Sequence, residues 1–257
     1  HGKKIPGTFE DLLELAAAGL VLFPCIPQDT LMNFYMMCAA YGEDPFLSEI
    51  AVINKDIGTK ALKMLRRLGE MIDKRCFDWN PIQIYEAMAN TDNFAYCPFG
   101  YGYSNYSRIG YSSNVLYFHD TVTMDGINHL KTTLGGTGLA VSASCKTIDA
   151  AMAFVKYSAS AICQRTLFFD NGGQPGHLLA WKDDHTNEQT NDFFRNTLAA
   201  LQRAFLRPRY DGHMYFQDHA GMLIREYMLT GGNEEDLLNK LNELYKQSLS
   251  PVKIECI

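Results

Sequence analysis

LGGTGLAVS, Leu134 to Ser142, decides how the chain is read. Gly135, Gly136 and Gly138 permit turns and close backbone approaches that a Cβ would forbid. Leu139, Ala140 and Val141 follow as a short apolar run with the character of a buried strand. Beyond them, Thr147 is placed to cap a helix, with Asp149 in its first turn and Ala151, Phe154, Val155 and Ser158 at helical spacing. A glycine turn, a strand that dives into a core and a capped helix make one αβ unit, which predicts an α/β fold.

Upstream the alternation recurs. Thr8, with Asp11 three residues on, caps a helix whose apolar face is Phe9, Leu12, Leu13 and Ala16 and which stops at Gly19. Leu20 to Phe23 reads as a buried strand, and Asp29 as the cap of a second helix carrying Leu31, Phe34, Tyr35 and Cys38 on one face up to Gly42. Asp56 opens a longer helix with Ala61, Leu65, Leu68 and Ile72 inward and Lys63, Arg66 and Arg67 toward water. Asn80-Pro81 starts a short helix through Met88. Phe94 to Pro98 and Asn114 to His119 read as strands. Downstream, helices are predicted for Ser160 to Phe169, Asn191 to Phe205, Gln217 to Leu229 and Asn233 to Gln247.

At 257 residues, 47% hydrophobic and net charge −6, the chain is long enough for one large or two small domains with a sizeable core. The negative charges are scattered and no basic stripe exists, so nucleic acid is not an expected partner. No apolar run reaches the roughly 18 residues that cross a bilayer. The opening His1-Gly-Lys-Lys-Ile-Pro has no apolar signal core, so the signal of an exported protein would lie outside this chain. Seven cysteines stand apart without a C-x-x-C pair, which signals neither zinc nor thioredoxin chemistry, and most read as small hydrophobes.

Two stretches carry chemistry. YCPFGYGYSNYSRIGY, Tyr96 to Tyr111, alternates aromatics with glycine, serine and asparagine. It joins flat apolar area to a few donors, as a site for a sugar-like or other small polar ligand requires, although a packed loop or subunit contact has the same composition. NGGQPGHLLAW, Asn171 to Trp181, is stiff at Pro175 and permissive at its glycines, so it presents Gln174 and backbone amides in a fixed loop. Arg207 and Arg209 flank a proline in RPRY, ready to meet a carboxylate, a hydroxyl or an interdomain ion-pair partner.

Catalytic signatures are missing. The glycines at 136 and 138 meet Val141 where a dinucleotide fingerprint needs its third glycine, and no P-loop occurs. His213 and His219 are six apart and do not stack on one helical face, and no metal or other cofactor is expected. Ser142 and Ser144 have no assigned base and no G-x-S-x-G elbow. Asp183, Asp184 and Asp218 form a candidate glycosidase set, though caps and turns explain them equally. The chain is therefore expected not to be an enzyme, the alternatives being a carbohydrate-active hydrolase or a non-catalytic adhesion or assembly domain.

In order, DWNPIQIYEAMA (78–89), AYCPFGYGYSNYSR (95–108), GGTGLAVSA (135–143), GGQPGHLLAW (172–181) and RPRYDGHMYFQDHAG (207–221) resemble the extracellular solute-binding proteins of ABC importers, family 1, the type with carbohydrate-binding members. The resemblance implies a two-lobed periplasmic-binding-protein type II fold with the ligand in a cleft. It implies capture of a sugar or other small polar solute, an organic acid included, by a monomer that delivers it to ABC permease membrane subunits. The implied compartment is periplasmic or extracellular, with membrane anchoring through an N-terminal part outside this chain. Such proteins run well over a hundred residues longer at the N-terminus, where most of the first lobe lies. Residues 1–134 then correspond to the second lobe, 135–190 to a hinge crossing and a returning segment of the first lobe, and 191–257 to the second lobe again. The returning segment is left without a complete sheet to pack on. The ligand contacts that follow are Phe99, Tyr101, Tyr103, Asn105 and Tyr106 from the tyrosine loop. Gly136, Thr137, Gly173 and Gln174 face them, and Arg207, Arg209 and Tyr210 return from the second lobe.

Overall fold

Capping chemistry sets the helix starts in the computed structural model, which describes residues 4–124 and 126–249; Cys256 lies outside them. Helix α1 (Phe9–Ala17) begins with a complete capping box: Thr8 Oγ1 accepts from Asp11 N–H, and the Asp11 carboxylate accepts from Thr8 N–H. Those backbone donors, Thr8 first and then Gly7, hold the Asp11 carboxyl below its usual range. Helix α2 (Pro27–Ala40) starts earlier than expected, because Ile26 is its cap and Pro27 fills the first turn. Asp29 is therefore not a cap but a buried residue of that turn.

Helix α3 (Lys55–Met71) is capped by Asn54 rather than Asp56, and Ala61, Leu62, Leu65 and Leu68 form its buried stripe. Fully burying each leucine is worth roughly 1.5–3 kcal/mol, so the stripe outweighs anything the charged face contributes. Helix α4 (Pro81–Asn90) has the Asn80–Gln83 capping box and proline at its start. Helices α5 (Ile148–Ser158), α6 (Ala161–Arg165), α7 (Leu167–Asp170), α8 (Leu178–Trp181), α9 (Asp184–Glu188) and α10 (Phe193–Gln202) follow, then α11 (His213–Thr230) and α12 (Glu234–Leu249). The single helix expected over 160–169 is interrupted at Thr166, whose φ of −123° and ψ of −98° divide α6 from α7.

The chain forms two compact units. One comprises His1–Gly100, Thr121–Leu134 and Arg203–Ile257, the other Tyr101–Asp120 and Gly135–Gln202. In the first, α11 packs on α2, α3 and α12. The side chains from Asp29 to Cys38 on α2 are all buried. At the crossing of α2 with α11, a Cβ on Gly221 would lie 2.2 Å from the Pro27 carbonyl oxygen, so only glycine permits this approach. Phe46 sets its ring edge-on to Tyr35, Phe216 and Tyr245, locking the loop before α3 onto α2, α11 and α12.

The second unit is built on Phe169, Trp181, Phe193 and Phe194, with Phe118 and Leu198 packed against them. One limit between the units falls at 134/135, and this cluster explains why the second unit also takes in 101–120 and runs past 190 to 202. Phe118 meets Phe193 at 4.8 Å and Asn191 Nδ2 donates to the Ser107 carbonyl, so 101–120 and 191–202 belong together.

Among the described residues extended segments pair only at isolated bridges, Val21 with Tyr96 and Thr133 with Phe205 in parallel sense among them. The segments 20–23 and 94–98 thus meet, but the strands expected at 114–119 and 139–141 do not form. Leu139 is 57% exposed, so the run that was to enter a core lies on the surface. An apolar run becomes a strand only where another strand completes its hydrogen bonds, and none does here.

Candidate functional site

Gly102 to Arg108 turns tightly through a 3₁₀ segment, Ser104–Ser107, and is fastened to the loop at 172–174 from three sides. Gln174 Oε1 accepts from the Ser104 N–H at 2.7 Å while its Nε2 donates to the Gly102 carbonyl at 3.1 Å. Asn105 Nδ2 donates to the Gly172 carbonyl at 3.0 Å. Arg108 lies 4.0 Å above the Phe169 ring, donates to the Phe169 carbonyl at 2.8 Å and to Asn105 Oδ1 at 3.1 Å. Burial pulls its guanidinium below the usual arginine range, opposed by the Asp170 charge.

The partner loop is fixed in turn. Trp181 Nε1 donates to the Pro175 carbonyl at 2.7 Å, and Gly176 N–H to Gln164 Oε1 at 2.8 Å. Asn187 Nδ2 ties the Trp181 and Asp183 carbonyls together, so the turns around α8 and α9 are held by side-chain amides.

Of the expected contacts, Tyr101, Tyr103, Asn105, Tyr106, Gly136, Thr137, Gly173 and Gln174 lie in this unit, whereas Phe99, Arg207, Arg209 and Tyr210 lie in the other. Tyr103 is exposed and Tyr101 half-buried, and the Tyr101 ring passes beside Gly135, where a Cβ would come within 2.6 Å of it. Gly135 is thus the glycine that the turn requires, while a Cβ on Gly136 or Gly138 would meet nothing. Gly136 and Thr137 are exposed.

Two residues need correction as surface contacts. Phe99 is 0% exposed, edge-on to Phe23 at 5.3 Å, and Tyr106 is buried with Tyr111 edge-on at 5.2 Å. Both are core aromatics of their own units. Asn105 and Gln174 use their amides on the loop backbone, and so act first as positioning groups. In the other unit, Arg207 donates to Gln217 Oε1 at 2.9 Å, Tyr210 and Ser248 hydroxyls meet at 2.8 Å, and Arg209 is exposed. Arg108, Asn187 and Asn191 escaped the sequence reading. The signal for Arg108 was present: an arginine closing a tyrosine run is a natural cation–π partner.

Asp183 caps α9 and is ion-paired to Arg165, Asp184 meets Arg195 at 3.0 Å, and Asp218 is exposed in the other unit. Ser142 and Ser144 bond each other. His213 is neither on the surface nor hydrogen-bonded among the described residues; burial, then the Arg207 charge, holds it below the usual histidine range. Among the described residues no group of His, Cys, Asp or Glu could hold a metal, and no helix is long and apolar enough to cross a membrane. Burial pushes the Cys25 and Cys38 thiols well up and Cys76 to about 11, which makes them poor nucleophiles.

No family model matches the sequence, and no curated protein is matched. Solved structures do match. The maltose-bound MalE3 of T. maritima is 17% identical with a TM-score of 0.80, covering 95% of this chain and 66% of its own. An ABC transporter solute-binding protein from Thermotoga lettingae, bound with α-D-tagatose, is 15% identical with a TM-score of 0.76 and coverages of 96% and 65%. One from Agrobacterium radiobacter, in complex with ribitol, is 17% identical with a TM-score of 0.73 and coverages of 96% and 65%. The chain thus has the α/β, periplasmic-binding-protein type II fold and spans about two thirds of the length of the solved chains it matches.

Proposed function

We propose that this chain belongs to the solute-capturing component of an ABC importer and takes a sugar or sugar-like polyol on the tyrosine loop at 101–106. The observation that carries this reading is the clasp of Gln174, Asn105 and Arg108 on that loop. Rigid backbone beneath the exposed Tyr103 ring and the half-buried Tyr101 ring gives a stacking platform whose ordering cost is already met before ligand arrives. The bound maltose, tagatose and ribitol of the matching structures support the same solute class. Delivery to permease subunits outside the cytoplasm, by a monomer and without chemical conversion, completes the proposal.

A melting screen of the chain against maltose, tagatose, ribitol, a sugar acid and an amino acid tests it. A cognate solute at a hundredfold excess over its dissociation constant stabilises by about 2.7 kcal/mol. The expected result is a saturable rise in melting temperature with one of the sugars or polyols, lost in Tyr103→Ser. Release of a hydrolysis product, or a rise unaltered by Tyr103→Ser, overturns the proposal.

A further inference from the structure

Three thiols of the first unit gather around Phe23 from segments far apart in sequence. Cys25 and Cys76 are fully buried, Cys97 is half-buried, and all three are free thiols in the structure. Cys25 N–H donates to the Cys76 carbonyl at 2.9 Å, and Leu22 N–H donates to the carbonyl of Tyr96, the neighbour of Cys97, at 3.1 Å. Direct backbone bonding of the first kind holds two Cα atoms about 5.5 Å apart, within the range of about 4.4–6.8 Å that a disulfide spans. The sulfurs of Cys25 and Cys76 converge as well. Cys25 Sγ donates to the Phe23 carbonyl at 3.5 Å, and the Phe23 backbone hydrogen-bonds the Cys76 sulfur. Cys97 Sγ is turned to the Phe99 carbonyl, 3.2 Å away. Cys38 stands near the far end of α2, roughly 16 Å along the axis from Pro27, and is out of reach.

We propose that Cys25 and Cys76 pair as a disulfide that ties the start of α2 to the turn following α3. Cys25 lies two residues ahead of α2 and Cys76 five residues beyond α3, and the two helices pack on each other. The bond therefore staples the open end of a helical hairpin. Its formation needs an oxidant, and a small-molecule disulfide of the glutathione type supplies one outside the cytoplasm, where the proposed function puts the protein. Only that placement rests on the earlier reading. One cysteine thiolate attacks the glutathione disulfide and releases one glutathione; the second attacks the mixed disulfide and releases the other. Two cysteine thiols are oxidised, one glutathione disulfide is reduced, and both protons leave with the two glutathione thiols. In the finished protein burial raises the Cys25 thiol well up and Cys76 to about 11, so thiolate is scarce there. Arg225 of α11 donates to the Phe77 carbonyl at 3.0 Å, so α11 closes over the turn that carries Cys76. Pairing accordingly belongs to the stage before α11 seats, when both cysteines have been synthesised and Cys97 follows them.

The full chain, reduced in urea, is refolded in a buffer of reduced and oxidised glutathione, blocked with N-ethylmaleimide and mapped by mass spectrometry of unreduced peptides. A single linkage between the Cys25 and Cys76 peptides is expected, the other five cysteines being alkylated. The melting temperature is expected to lie about 5–15 °C above that of the same protein in reductant, the gain from closing a loop of about fifty residues in a chain of this size. Cys38→Ala and Cys97→Ala keep the linkage and the gain, whereas Cys25→Ala and Cys76→Ala lose the gain. A linkage through Cys38 or Cys97, no linkage at all, glutathione adducts in its place, or a linkage that leaves the melting temperature unchanged overturns the proposal. The map of the unaltered chain depends on no variant, and no sugar is added, so failure here is separate from failure of solute binding.

Discussion

Gln174→Ala removes both bonds of the clasp while leaving the glycines and Pro175 of its loop in place. The lost acceptor strands the Ser104 N–H, which belongs to a residue only 1% exposed, and the lost donor strands the Gly102 carbonyl. A typical net hydrogen bond is worth about 1 kcal/mol, and a buried donor left unpaired costs about 1–3 kcal/mol. The half-buried Gly102 carbonyl finds water and adds little, so the local cost is about 1–3 kcal/mol. At tenfold per 1.4 kcal/mol, that favours opening of the tyrosine loop by roughly 5- to 150-fold. Exchange of the Ser104 amide, read by mass spectrometry of a peptide spanning 101–108, is the assay. The rest of the unit is expected to exchange as before, because its Phe169–Trp181–Phe193–Phe194 core is untouched. Gln174→Glu keeps the acceptor for Ser104 and is expected to recover most of the protection. Unchanged exchange at Ser104 in Gln174→Ala refutes the clasp. Uniform acceleration across the unit refutes its local character.

Three further outcomes follow from the packing. Asp29 has its pKa raised from 3.8 to about 6 by burial alone, a penalty of roughly 3 kcal/mol for the charged form, against at most about 1 kcal/mol recovered from the start of α2. Because the folded value lies above the unfolded one, its stabilising contribution is complete below pH 4 and lost as pH rises through 6. Asp29→Asn is expected to raise the urea midpoint at pH 7.5 and leave it unchanged near pH 4; a lower midpoint at pH 7.5 contradicts the account. Gly221→Ala places a methyl 2.2 Å from the Pro27 carbonyl oxygen and is expected to cost about 1–3 kcal/mol or more, as overpacking does; a midpoint unchanged by calorimetry disproves the close approach. Arg108→Lys keeps the charge but not the planar stack over Phe169, and is expected to weaken solute affinity three- to tenfold while shifting the melting temperature little. Unaltered affinity by calorimetric titration removes Arg108 from the positioning set.

The sequence was legible where chemistry is local. Thr8 with Asp11 and Asn80 with Pro81 place α1 and α4 because a helix start is set within four residues of the cap. The stripe of α3 was readable for the same reason, its period being a property of the helix alone. Leu139 to Val141 was misread because burial belongs to the partner, and an apolar run looks the same with or without one. Phe99 and Tyr103 stand four residues apart in one aromatic run, yet one lies in a core and the other faces water. Composition could not separate them, since only the fold decides which ring meets Phe23. Gln174 was legible as a presented amide, but not as a clasp on residues seventy positions earlier.

Helix α2 emerges early in synthesis, whereas α11, which seals it, comes only after the whole second unit has been made. At ribosomal speeds of 5–20 residues per second, that interval is on the order of ten seconds or more. Throughout it a helix whose side chains from Asp29 to Cys38 all end up buried waits for its lid. The nascent chain therefore passes through a sticky stage that a short helix bundle with neighbouring contacts would skip. Expression yield of this protein should consequently depend on chaperone supply and on temperature more than its finished stability suggests.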